Sequence, residues 1–247
     1  MKKWIMLTAT ILIVVLFGAG CMSSESKVIK HLENKYGEKF KVEGVDKASA
    51  LFPSLSGKDQ IFAYPEGKPE QIFVAGESQN TEGKIYDTYV LARWGEELER
   101  AFEQKIKEHI PGDSEFKIYL RIADSKYDES MKEMSIYDYF QNVNTDAEVV
   151  LNLAVKTQDT PNLDRYKEGL FNLYQQIGEI GAEDYTLLAG FVDEKEDVTD
   201  YIRTSNVNNL PWENYGGNLY GFSVLYNRAS KLNNPDDVEN YYKVVKK

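Results

Sequence analysis

The sequence predicts an α+β domain, with a mixed or antiparallel sheet and helices packed mainly on one face of it. Three observations predict this class. Two long segments repeat apolar residues every three or four positions, the period of a helix with one buried face. Several short segments alternate apolar and polar residues, the period of a strand. Two apolar runs, Ile61-Phe62-Ala63-Tyr64 and Ile72-Phe73-Val74-Ala75, flank Pro65-Glu66-Gly67-Lys68-Pro69, which reads as an antiparallel hairpin. Hydrophobic residues are 42 % and charged residues 28 % of 247, too apolar a mixture for wholesale disorder.

The elements follow in order. Val28, Leu32 and Tyr36, with Ile29 beside them, mark a first helix that Ser24 or Ser26 can cap and Gly37 stops. Phe40 to Val45 reads as a strand, and 46–58 as a loop containing Pro53 and Gly57. The hairpin comes next, then a polar loop from Gly76 to Gly83. Tyr86, Tyr89, Val90, Trp94, Leu98, Phe102, Ile106 and Ile110 line one face of the longest helix, expected from Tyr86 until Pro111-Gly112 ends it. Phe116, Ile118, Leu120 and Ile122 alternate with Lys117, Tyr119 and Arg121, a strand with one buried face. Ser135 to Phe140 reads as a short helix or turn, and Val149 to Val155 as a strand. A helix starting near Thr160-Pro161 carries Leu163, Tyr166, Leu170, Leu173, Ile177 and Ile180 in one stripe. Tyr185 to Val192 is almost wholly apolar, as a central strand would be. Asp197 to Arg203 reads as a helical turn, Leu219 to Tyr226 as the last strand, and the chain after Asn234-Pro235 as a C-terminal helix.

Residues 70–128 and 147–197 echo one another. Each reads strand, helix, strand, and each exits in Asp-x-Lys-x-Asp: Asp124, Lys126, Asp128 and Asp193, Lys195, Asp197. Two strand–helix–strand repeats within one domain spanning 27–247 are therefore an expectation, with coincidence of a common unit as the alternative.

The first twenty residues read as an address. Lys2 and Lys3 precede an uncharged apolar run from Trp4 to Phe17, then Gly18-Ala19-Gly20 and the only cysteine, Cys21. That order is a secretory signal peptide, and its apolar part is short for a membrane-spanning helix. Gly18-Ala19-Gly20-Cys21 resembles the lipobox of bacterial lipoproteins, except that the family's usual Leu three before the cysteine is Gly18 here. The resemblance implies cleavage between Gly20 and Cys21 and a diacylglyceryl group on the Cys21 thiol. It implies a membrane-lipid partner through Cys21, a location on the extracytoplasmic face of the cell membrane, and a tether over 21–26. Two acyl chains suffice for stable attachment. Removing 20 of the 247 residues leaves 227, and loss of Lys2 and Lys3 moves the formal charge from −11 to −13. With 23 lysines against six arginines, and an abundance of Asn, Ile and Tyr, the chain looks like that of a low-GC Gram-positive bacterium.

Composition also narrows the chemistry. An acidic chain lacks the clustered Lys and Arg that phosphate backbones require, so a nucleic-acid partner is excluded. With a single cysteine the chain forms no internal disulfide, and assigning Cys21 to lipid removes Cys zinc sites and a Cys nucleophile. His31 and His109 stand apart without a partner at metal spacing, and no phosphate loop, dinucleotide fingerprint or Gly-x-Ser-x-Gly elbow occurs. No catalytic residue and no cofactor is assigned. Two segments remain as candidate sites. Asp193, Glu196 and Asp197 offer oxygen ligands for calcium, without the spacing of an EF-hand, and otherwise read as a solvated turn. Residues 206–222 gather Trp212, Tyr215, Asn218 and Tyr220, which could stack on and hydrogen-bond a sugar or peptide, or could pack on the core.

Three readings stay open. The first is a lipid-anchored, non-catalytic protein that binds a cell-envelope protein or glycan. The second is a carboxylate hydrolase of the cell wall, which requires a cleft with two carboxylates, one raised in pKa by an apolar setting. The third is a small substrate-binding lipoprotein of an importer.

Overall fold

The computed structural model describes residues 23–47, 58–79, 81–208 and 210–245. The expected signal segment, Cys21 and most of the 46–58 loop lie outside the described residues. The fold is α+β, built from two sheets on one apolar core. The first sheet holds β1 (Phe40–Asp46), β2 (Gln60–Pro65), β3 (Phe73–Glu77) and β4 (Ile85–Asp87) in that order, all antiparallel. The second holds β5 (Ser114–Arg121), β6 (Glu148–Thr157), β7 (Asp184–Asp193), β8 (Leu219–Tyr226) and β9 (Tyr242–Val244) in that order. Only β6 and β7 run parallel, paired from Glu148↔Asp184 to Thr157↔Asp193.

The helices explain themselves locally. Helix α1 (Ser24–Tyr36) starts where the Ser23 hydroxyl accepts the Ser26 N–H at 3.2 Å and stops at Gly37, whose φ of 71° favours a residue without a Cβ. Residues 24–26 of the expected tether are therefore helical, leaving 22 and 23 between Cys21 and α1. Helix α2 (Tyr89–His109) buries Trp94, Leu98, Phe102 and Ile106. It ends because Ile110, preceding Pro111, takes an extended conformation. Its start differs from the expected Tyr86. Residues 85–87 are β4, and the Asp87 carboxylate accepts the Tyr89 N–H at 3.2 Å to begin the helix. Helix α3 (Ile136–Asn142) follows a 3-10 turn, Glu129–Glu133, that periodicity does not show. Helix α4 (Lys167–Gly178) begins after another 3-10 turn, Leu163–Arg165, several residues later than expected. Short helices α5 (Thr199–Arg203) and α6 (Ser205–Asn208) follow β7. The expected C-terminal helix is a 3-10 stretch, Pro235–Tyr241, capped by Asn234 and followed by the edge strand β9.

The core lies between the sheets and α1, α2 and α4. Val28, Leu32, Phe73, Trp94, Leu98, Leu151, Leu170, Leu173 and Leu187 share it. A second cluster fills the other face of the five-stranded sheet under α5, with Ala154, Val192, Val198, Ile202, Leu219 and Phe222. Both faces of β6 and β7 are thus covered, which is why β7 is apolar from Leu187 to Val192. Strand β5 departs from its expected one-faced pattern, because Lys117 and Tyr119 are buried as well.

The expected equivalence of 70–128 and 147–197 does not hold in topology. Strands β3 and β5, on either side of α2, belong to different sheets, whereas β6 and β7, on either side of α4, are parallel neighbours in one. Among the described residues no helix is long and apolar enough to cross a membrane.

Candidate functional site

The two segments singled out in the sequence meet at the carboxyl end of β7. Trp212 lies in a 3-10 turn, Trp212–Asn214, set by the extended Pro211. Its indole folds back across Gly190 in β7, where a Cβ would stand 2.3 Å from Cδ2. A glycine here is a requirement of close approach, not of backbone angle. The indole Nε1 donates to the Asn152 Oδ1 of β6 at 2.8 Å, and the side chain is 2 % exposed. Of the two readings of Trp212, core packing is the one observed: the ring plugs the second cluster and packs on Tyr201 and Tyr215 at centroid distances of 4.6 and 5.6 Å.

Tyr215, Asn218 and Tyr220 are tied to the acidic turn. The Tyr215 hydroxyl and the Asn218 amide donate to the two oxygens of Glu196, at 3.2 and 2.5 Å. The Tyr220 hydroxyl donates to Asp193 Oδ2 at 2.8 Å. Burial, with Glu196 alongside, pushes the Tyr215 phenol up to about 12, and the bond to Asp193 raises Tyr220. Asp193 also accepts the Lys195 N–H at 3.0 Å. Asp197 accepts the Thr199 N–H at 3.1 Å, and that backbone bond holds its carboxyl below the usual range. Asp193, Glu196 and Asp197 thus each serve their own neighbours. Among the described residues no three acidic, His or Cys side chains converge to hold a metal ion.

On the other side of the same turn lies an open cleft of about 840 Å³. Three connections line it: Pro111–Asp113 before β5, 157–162 with Arg165 and Tyr166 between β6 and α4, and Glu194–Lys195 after β7. It stands at the carboxyl ends of the one parallel pair, where open α/β sheets commonly bind ligands. Its size suits a small molecule. Lys156 is committed to Glu115 at 2.9 Å. Asp159, Glu194, Arg165 and Lys195 are exposed and make no ion pair among the described residues. Sequence reasoning passes over this cleft, because Thr157-Gln158-Asp159 carries no motif and Thr160-Pro161 reads as the start of a helix. The signal becomes visible once β6 and β7 are known to be parallel.

A second groove of about 520 Å³ runs between α2, β5 and α5 and holds Glu96, Glu99, Glu103 and Glu115. Burial raises the Glu99 carboxyl, against the pull of Lys117 at 3.2 Å. Glu99 also accepts the Ile118 N–H at 3.1 Å, so it satisfies a donor of the edge strand β5. Its raised pKa arises at a structural junction. His109 is likewise structural, bonded through Nε2 to Gln176 of α4 at 2.9 Å, while His31 is exposed on α1.

No protein-family model matches the chain, and no curated protein matches it at a significant level. Among solved structures it is similar to a DUF5037 family protein from Ruminococcus gnavus. The TM-score is 0.51 at 14 % identity, covering 87 % of this chain and 97 % of that one. The likeness extends over nearly the whole of both chains and is one of fold.

Proposed function

We propose that this protein is an extracytoplasmic lipoprotein, held to a membrane through diacylglyceryl Cys21, that works by binding rather than by catalysis. The observation that carries the anchor is the order of Lys2-Lys3, the apolar run 4–17 and Gly18-Ala19-Gly20-Cys21. Helix α1, starting at Ser24, supports the same reading, since it places a folded body directly after the modified residue. At ~3.3 Å per extended residue, the two intervening residues span less than ~10 Å. The body carries −13 in formal charge, so an anionic bilayer surface repels it and the lipid supplies the adhesion.

The binding half rests on the cleft beside β6 and β7. It is open and polar, and of its charged groups Asp159, Arg165, Glu194 and Lys195 form no ion pair among the described residues. A cell-envelope protein or a glycan remains the class of partner for the wider surface.

Cys21→Ala tests the anchor. Expressed in the native host, the variant is expected in the soluble fraction, with incorporation of an alkyne-tagged fatty acid abolished. A variant that stays in the membrane fraction with its signal segment removed would sink the lipid account.

A further inference from the structure

We propose that the cleft at the carboxyl ends of β6 and β7 takes a short peptide with free termini. Its α-carboxylate would meet Arg165 and Lys195, and its α-ammonium would meet Asp159 and Glu194. This inference rests on the binding half of the reading above and is independent of the lipid anchor.

The lining selects among ligand classes by chemistry. Apart from Pro111, Gly112, Pro161 and Tyr166 it is polar or charged, which disfavours an apolar ligand. A sugar ring is best held against an exposed aromatic face. The one aromatic ring of the lining, Tyr166, is 4 % exposed, with the Arg165 guanidinium 5.7 Å above its centroid. No stacking platform is left. A phosphate or a polyanion would meet Asp113, Asp159 and Glu194 along with the cations, so each favourable contact carries a repulsive one.

A zwitterion reverses that balance. Two exposed cations and two exposed carboxylates without an ion pair are matched by one ligand that brings one group of each sign. The connection 157–162 supplies the rest. The Gln158 and Asn162 amides and the Thr160 hydroxyl can donate to and accept from peptide groups. The Asn162 Oδ1 already accepts the Asp164 N–H at 3.1 Å, and its amide NH₂ makes no bond among the described residues.

The arrangement is also locally fixed. Thr157 Oγ1 donates to the Asp159 carbonyl at 2.8 Å. The Glu194 N–H donates to the Thr157 carbonyl at 2.9 Å, joining the two connections. The charged groups therefore stand on braced backbone, which limits the ordering cost of binding.

The test is calorimetric titration of the full chain in detergent micelles with Ala-Ala-Ala bearing free termini. Acetylated and amidated forms, inorganic phosphate and N-acetylglucosamine serve as comparison probes. The free tripeptide is expected to bind. Blocking either end removes one charge-assisted contact and should weaken binding about tenfold or more. Arg165→Ala and Glu194→Gln should each produce a loss of the same order, with thermal unfolding unchanged for Glu194→Gln and only slightly lowered for Arg165→Ala, which loses its contact with the Tyr166 ring. The inference is overturned by any of three results: no heat with millimolar tripeptide, equal affinity for the blocked forms, or preference for phosphate or the sugar. Undiminished binding by both variants would overturn it too. Such failures leave the anchor, read separately through Cys21→Ala, untouched.

Discussion

The two sides of the turn after β7 are built from similar residues and are opposite in character. On one side Asp193, Glu196 and Asp197 face Tyr215, Asn218, Tyr220 and Thr199, and the carboxylates are taken up by these neighbours. On the other side Glu194, Lys195, Asp159 and Arg165 line a cleft, and none of the four forms an ion pair among the described residues. The difference shows that charge and aromatic content do not mark a binding surface. Commitment of the hydrogen-bonding groups does. The bonded side fixes where the turn stands, and that fixes where the open side presents its charges.

The comparison can be broken most severely at Trp212. Trp212→Ala empties the second cluster and leaves the Asn152 amide oxygen without the indole donor. A loss of about 3–5 kcal/mol is expected in urea unfolding. A loss under about 1 kcal/mol would return Trp212 to the class of surface residues. Glu196→Ala is the milder break. It deprives the Tyr215 hydroxyl and the Asn218 amide of their shared acceptor and should cost about 1–2 kcal/mol. Fluorescence-detected unfolding reads this directly. If peptide binding survives where stability falls, the two sides are mechanically separable.

The smallest effect lies in the groove between α2 and β5. Burial raises the Glu99 carboxyl above its ordinary 4.5. Between 4.5 and that raised value the folded state holds more protons than the unfolded one, so stability falls as pH rises through this window. Glu99→Gln should remove that slope, whatever constant offset it adds by stranding Lys117. Denaturation midpoints measured at several pH values above 4.5 report it. An unchanged slope would place the titration elsewhere.

Much of the fold is legible in the sequence because its signals are long. Six apolar stripe positions along α2, the alternation of β6 and the stop at Gly37 each follow from spacing and backbone chemistry. What escapes is short or distant. Strands β4 and β9 have three residues each, too few to show a period, and a pairing partner alone makes them strands. Trp212 sits among Pro, Gly, Asn and Tyr, a composition shared by binding loops and core plugs. What decides its role is Gly190, 22 residues earlier, which opens the space for the ring. The burial of Lys117 likewise depends on Glu99 and on the Glu70 carbonyl that accepts from it at 2.7 Å. The cleft draws on three separate connections, none distinctive alone.

Helix α1 has a mechanical consequence. Residues 23–27 are exposed, and the first holds on the body are the Lys27–Glu77 ion pair and the buried Val28. Leu32 follows one turn later. Last come Lys35 and Tyr36, both bonded to the Asp87 carboxylate, at 2.8 and 2.7 Å. A pull applied at Ser23 therefore peels the helix turn by turn instead of loading all its contacts at once. The strongest fastening is reached only after the others have let go.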